Sequence, residues 1–295
     1  MHCYFILAGN ATIPILFHVE RVRDGRSFIT RTVQARQRGK CIFTTTISFM
    51  AEGSGGNEVI QHGADMPADA VPRLEKMLAD DKAGRGVSDL AEDREKEADG
   101  EQSRGPFVSK RLGIANNADS SPSPHERHVQ SWLKCRGTIR GGIYAHLSAL
   151  AYMTDNTFIG VVSKVHGLER FGKLTESEHA YLRQLAEEEL MEHDSNGGTE
   201  RATGRKGSVN TPPEQPRRNV GMMVSLDHTI YFHRPREIRA DEWLFSEMES
   251  PWAGQGRGCV TQRLWNRDGR LVASCVQEGL VRLQQQRTGG RISKL

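Results

Sequence analysis

Apolar and polar side chains alternate through much of the first fifty residues, the period expected of half-buried strands. Ile13, Ile15, Phe17 and Val19 alternate with Thr12, Pro14, Leu16 and His18. Asp24-Gly25 then gives a hairpin signal. A second run follows over Phe28–Gln37, turned by Arg38-Gly39-Lys40, and a third over Cys41–Met50, rich in Thr, Ile and Phe. The apolar stretches Cys3–Leu7 and Ile13–Phe17 have no basic leader and are interrupted by Asn10 and Pro14. They read as strand material rather than a signal peptide.

The pattern changes after Glu52. Gly53-Ser54-Gly55-Gly56 opens a polar segment, and residues 88–102 are mostly Asp, Glu and Lys. A short helix over Ala70–Asp80 is expected within what otherwise reads as linker or surface excursion. Strand character returns over Phe107–Ile114 and His128–Arg136. Behind Gly141-Gly142, Ile143, Leu147, Leu150 and Ala151 form a helical stripe that predicts a helix over 142–154. Residues 169–219 read as a second insertion. Thr175 and Glu178 cap a surface helix there, and a Gly-, Ser-, Pro-rich stretch reads as disorder. Four further strands are expected, Val220–Phe232, Asp241–Glu249, Gly258–Asn266 and Leu271–Leu283, with a turn at Arg267-Asp268-Gly269-Arg270. A helix followed by an antiparallel run is an α+β pattern. The Asp24-Gly25-Arg26 and Asp268-Gly269-Arg270 hairpins, with loosely similar flanks, point to an internal duplication.

Composition narrows the chemistry only a little. A net charge of +3 over 295 residues supplies no basic field for nucleic acid. A hydrophobic content of 37% is low for a compact globule, so part of the chain does something other than fill a core. No apolar run approaches a membrane span. Cys3, Cys41, Cys135, Cys259 and Cys275 are odd in number, and no pair stands at a metal-ligand or redox spacing, which favours a reducing compartment. The chain ends in Ser293-Lys294-Leu295 behind a polar, Gly-rich tail. That tripeptide is the address read by the peroxisomal import receptor, so the peroxisomal matrix is the expected location.

Five blocks, in order, resemble the type II acyl-CoA thioesterase family. They are Val19-Glu20-Arg21-Val22-Arg23-Asp24-Gly25-Arg26-Ser27-Phe28 with Ile47-Ser48-Phe49; Leu150-Ala151-Tyr152-Met153-Thr154-Asp155; Ser225-Leu226-Asp227-His228-Thr229-Ile230-Tyr231-Phe232-His233-Arg234-Pro235; Glu249-Ser250-Pro251 with Gly256-Arg257-Gly258; and the stretch from Asp268 to Gly279. The resemblance implies a double hotdog, antiparallel sheets wrapping a central helix, with the first hotdog lacking its initial strand and helix. On that basis residues 1–52 are an incomplete N-terminal hotdog, 53–104 a linker or insertion, 105–287 the C-terminal hotdog, and 288–295 the tail. It implies hydrolysis of fatty acyl-CoA thioesters with no metal or organic cofactor, and it leaves room for a homo-oligomer.

Three catalytic positions carry over from the family: Asp155, Ser225 and Gln277. A thioester carbonyl needs an oriented water, a proton acceptor and donors for the developing oxyanion. Asp155 would be the base or would orient the water, and Ser225 and Gln277 would hold that water by hydrogen bonds. An acid at a helix C-terminus opposes the helix dipole, which favours function over mere structure at Asp155. Read as one strand, Val220–Phe232 puts Ser225 on a face with Asp227, Thr229 and Tyr231, opposite Val224, Leu226, His228, Ile230 and Phe232. A Ser225–Asp227–His228 triad fails on that geometry, because neighbouring residues face opposite ways. Gln277 shares its face with Leu271, Ala273 and Cys275, where a polar amide must find partners. His228 reads as a core histidine, Cys275 as a small core residue, and Trp132, Trp243, Trp252 and Trp265 as core or acyl-site packing. Two other readings are a non-catalytic acyl-CoA-binding or assembly subunit, favoured by the missing helix, and a hotdog enoyl-CoA hydratase, which expects an Asp/His pair serving the water, for which Asp227-His228 could be mistaken.

Overall fold

The computed structural model describes residues 1–83, 105–116, 123–155, 158–168 and 219–284. The expected surface helix at 175–192, the polar stretch after it and the Ser293-Lys294-Leu295 end lie outside these residues. The first half contributes β1 (His2–Phe5), β2 (Leu16–Asp24), β3 (Phe28–Gln37) and β4 (Lys40–Met50). Helix α1 (Ala70–Lys82) follows, then β5 (Phe107–Ala115), β6 (His128–Cys135), α2 (Gly142–Asp155) and the short α3 (Gly160–Val165). The chain closes with β7 (Val220–Ser225), β8 (Asp227–Phe232), β9 (Leu244–Gly254), β10 (Arg257–Trp265) and β11 (Leu271–Leu283).

These strands form one antiparallel sheet in the order β2-β3-β4-β1-β8-β11-β10-β9-β6-β5, with β7 also paired to β11. Strand β1 joins the halves. Cys3 is the register partner of Thr45 on one side and His228 on the other. The tight turns are where the sequence puts them. Arg38 and Gly39 both have positive φ, as a two-residue hairpin of right-handed strands requires. Gly269 takes positive φ at the Asp268-Gly269 turn.

In the second half the sheet wraps α2, a hotdog arrangement. Alternation sends Val129, Leu133, Leu244, Met248, Val260, Leu264, Ala273 and Cys275 onto the face that α2 covers with Leu150 and Met153. The buried side of α2 is His146, Leu150, Met153 and Thr154. It is turned from the predicted Ile143-Leu147-Leu150-Ala151 stripe, with Leu150 common to both. His146 is held there because its Nδ1 accepts the Ala240 backbone N–H at 3.1 Å.

The opposite face of this sheet is covered by α1. Ala70 and Leu74 pack on Trp132, Phe245 and Trp265. The Trp132 indole N–H donates to Ala70 O and that of Trp265 to Ala64 O, so neither buried indole lacks a partner. Trp132 and Trp265 therefore sit on the far side from α2, and Trp252 is exposed. Leu271 joins this outer cluster too, not the Gln277 face predicted for it. The register of β10 and β11 slips between Leu264 and Trp265, and the irregularity separates Leu271 from Ala273 and its successors.

Candidate active site

The C-terminal end of α2 meets the middle of β11. The Gln277 Nε2–H donates to Asp155 Oδ1 at 2.9 Å, joining residues 122 positions apart. Gln277 is fully buried, and its Oε1 has no partner among the described residues. A buried carbonyl in that state is a place for a water, since burying it unpaired costs about 1–3 kcal/mol. Asp155 and Gln277 are thus brought into direct contact.

Ser225 reaches the same face through a break in the strand. The expected Val220–Phe232 strand is two strands, β7 and β8, interrupted at Leu226. Ser225 pairs with Gly279 and Thr229 with Val276, so β7 and β8 spend one residue more than β11 between these pairs. Leu226 is the extra residue. Its N–H donates to Glu278 O, and its carbonyl accepts from Phe5 N–H. The Glu278 N–H is taken by Asp227 Oδ1 at 2.6 Å. The bulge corrects the facing read from simple alternation. Directly paired residues share a face, so Ser225 lies on the side of Gly279 and Gln277, along with His228, rather than with Asp227 and Tyr231. Its neighbours agree: Met223 packs on the inner core, whereas Val224 is exposed. Ser225 is the diagonal neighbour of Gln277 across the β7–β11 ladder.

His228 stands beside Gln277 on this face, 3% exposed. Its Nε2 is 3.1 Å from Thr154 Oγ1, and the Phe158 ring packs edge-on against it. Burial holds its imidazole below the ordinary histidine range, against the pull of Asp155 and Asp227. Asp227 points away, engaged with the backbone of β11, so no Asp227–His228 pair faces a common water.

Cysteine chemistry has no foothold here. Burial pushes the Cys275 thiol up to about 12, and burial raises Cys3, Cys135 and Cys259 as well. A thiol is a nucleophile only as thiolate. What remains is an acid–amide pair, a hydroxyl on the same face and an unpaired buried carbonyl. That set suits activation of a water. Sequence reasoning missed Thr154, although its place four residues after Leu150 on the buried stripe was a usable signal.

Comparison with known proteins agrees with this architecture. The family model described as "Acyl-CoA thioesterase C-terminal domain" matches residues 87–281, and "Acyl-CoA thioesterase N-terminal domain" matches residues 1–50. The chain is 32% identical to acyl-coenzyme A thioesterase 8 of Mus musculus over 304 residues, covering 97% of this chain and 73% of the relative. It is 24% identical to peroxisomal acyl-coenzyme A thioester hydrolase 1 of Saccharomyces cerevisiae, covering 95% and 78%. The crystal structure of an acyl-CoA thioesterase II, TesB2, from Mycobacterium marinum superposes with a TM-score of 0.59 at 29% identity, covering 96% of this chain and 79% of that one. Two domain matches in the expected order, and a relative this similar along nearly the whole sequence, place the chain in the type II acyl-CoA thioesterase family, with its double-hotdog fold.

Proposed function

We propose that this thioester hydrolase cleaves fatty acyl-CoA to the free acid and coenzyme A by a water held among Asp155, Ser225 and Gln277. The observation that carries the reading is the 2.9 Å bond from Gln277 Nε2–H to Asp155 Oδ1, together with the buried Gln277 Oε1, which no described residue partners. One amide hydrogen fixes the carboxylate, leaving Oδ2 to accept a proton from water. Gln277 Oε1 accepts the other water hydrogen, and the Ser225 hydroxyl steers the water oxygen toward the thioester carbonyl. As the water oxygen bonds to the carbonyl carbon, its proton passes to Asp155. The C–S bond then breaks, and the thiolate takes that proton. The products are a carboxylic acid and a thiol, with every proton of the water accounted for.

The test is release of free thiol from palmitoyl-CoA by the full chain. Asp155→Asn keeps the shape and removes the base, so kcat should fall by about 10²–10⁴-fold. A wild-type chain no faster than buffer would end this reading.

We also read the peroxisomal matrix as the site of action. Ser293-Lys294-Leu295 is a peroxisomal address, and a yeast relative is named as peroxisomal. A fluorescent protein carrying residues 285–295 should enter peroxisomes and remain cytosolic once Leu295 is removed. Import that ignores that deletion would overturn the assignment.

A further inference from the structure

The last turn of α2 is tied to the sheet twice, by Asp155 and by the residue before it. Thr154 is 2% exposed, and its hydroxyl offers one proton and two acceptor positions. The proton goes to Ala151 O at 3.1 Å. His228 Nε2 lies 3.1 Å from the same oxygen. With its own hydrogen committed to Ala151 O, Thr154 Oγ1 accepts from His228. On that arrangement His228 is the Nε2–H tautomer, and its buried Nδ1 has no partner among the described residues.

We propose that His228 is a positioning residue for hydrolysis: through Thr154 it pins the end of α2 and so keeps the Asp155 carboxylate on Gln277. The inference rests on the water-holding reading above and adds a member to that site. Asp155 is the final residue of α2, where helices fray. A carboxylate at such an end holds one geometry only if the turn beneath it is fixed. The fixing group comes from β8, immediately beside Gln277 on the sheet, so helix end and amide are registered to the same two strands. Around His228 the packing is tight on three sides. Phe158 meets its ring edge-on, Cys3 is its register partner on β1, and Thr154 sits above. The charged groups around the ring are Asp155, Asp227 and the Met1 amino group. Burial keeps the imidazole neutral, which leaves Nε2–H its single donor.

His228→Gln, His228→Asn and Thr154→Val separate this role from simple packing, with palmitoyl-CoA as the probe on the full chain. Gln carries an amide N–H to about where Nε2 stands, whereas Asn reaches only to Nδ1. Thr154→Val and His228→Asn should each lower kcat about tenfold to a hundredfold, the scale of a misplaced catalytic group, with KM within about twofold. His228→Gln should recover most of the rate. The Thr154→Val/His228→Asn double variant should fall no further than either single change, because both break one linkage. Should His228→Asn fail to fold, the kcat and KM of Thr154→Val decide alone. A rise in KM at constant kcat, equal rates for the Asn and Gln variants, or fully additive losses would overturn the proposal. If Asp155→Asn is slow while Thr154→Val and His228→Asn run at the wild-type rate, only the positioning role fails. If Asp155→Asn is itself unimpaired, the water-holding reading fails beneath it.

Discussion

One inserted residue decides where Ser225 looks. Strict alternation back from His228 would turn the Ser225 hydroxyl away from Gln277; Leu226 adds a step and turns it inward. No residue type in Ser225-Leu226-Asp227-His228 announces that bulge. It exists only relative to β11, where Leu226 and Asp227 both bond to Glu278. Asp155 and Gln277 were different. An acid closing an apolar helix, and an amide on a mostly apolar strand, are conflicts visible in one dimension, and both resolve into a bond between the two. Ser225→Ala belongs in the same thiol-release assay as Asp155→Asn. Losing one water-steering hydrogen bond should cost about tenfold, well short of losing the base. A loss as deep as that of Asp155→Asn would give Ser225 a larger part than orienting water.

At the scale of elements, α3 shows how the sheet admits a helix so close. Gly258 and Gly279 are register partners on β10 and β11. A Cβ on Gly258 would stand 2.6 Å from Val162 Cγ2, and one on Gly279 would stand 2.6 Å from Ile159 Cγ1 and 2.8 Å from Val224 O. The pair of glycines makes a shallow seat for Ile159 and Val162, both buried, beside the strand that bears Gln277. Gly258→Ala should destabilise the fold by about 1–3 kcal/mol, the usual range for overpacking. Adding Val162→Ala should return part of the loss, because the clash is with that one side chain. Urea midpoints of the single and double variants measure both effects; a double variant weaker than Gly258→Ala alone would show that the contact is not the cause. The helix over Ala70–Asp80 was legible from its composition, and the structure extends it by only two residues, to Lys82. Its seat on Trp132 and Trp265 was not, because alternation says which residues share a face without saying which face an excursion will cover.

Across the whole molecule, the two halves share a sheet but not a degree of burial. Strand β1 hydrogen-bonds to β4 and β8, so the ladder runs unbroken from β2 to β5. Every residue of β2 is exposed, with Phe17 at 67% and Val19 at 63%, and the buried side chains of β3 and β4 are Ala35, Gln37 and Thr45. The large core cluster around α2 lies in the second half. Hydrophobic burial is the main favourable term in folding, so stability should be graded along this sheet rather than uniform. All four tryptophans, Trp132, Trp243, Trp252 and Trp265, belong to the second half and report on it alone, whereas far-UV circular dichroism sees strands of both. In urea, the dichroism should begin to fall at lower concentration than the tryptophan emission shifts. Amides of β2 and β3 should exchange with solvent hydrogen before those of β10 and β11. The order follows from the pairing of β1, whose bonds to β8 hold against a buried core while those to β4 hold against a nearly bare one. Coincident urea curves from the two probes would show that the ladder couples both halves into a single cooperative unit in spite of that difference.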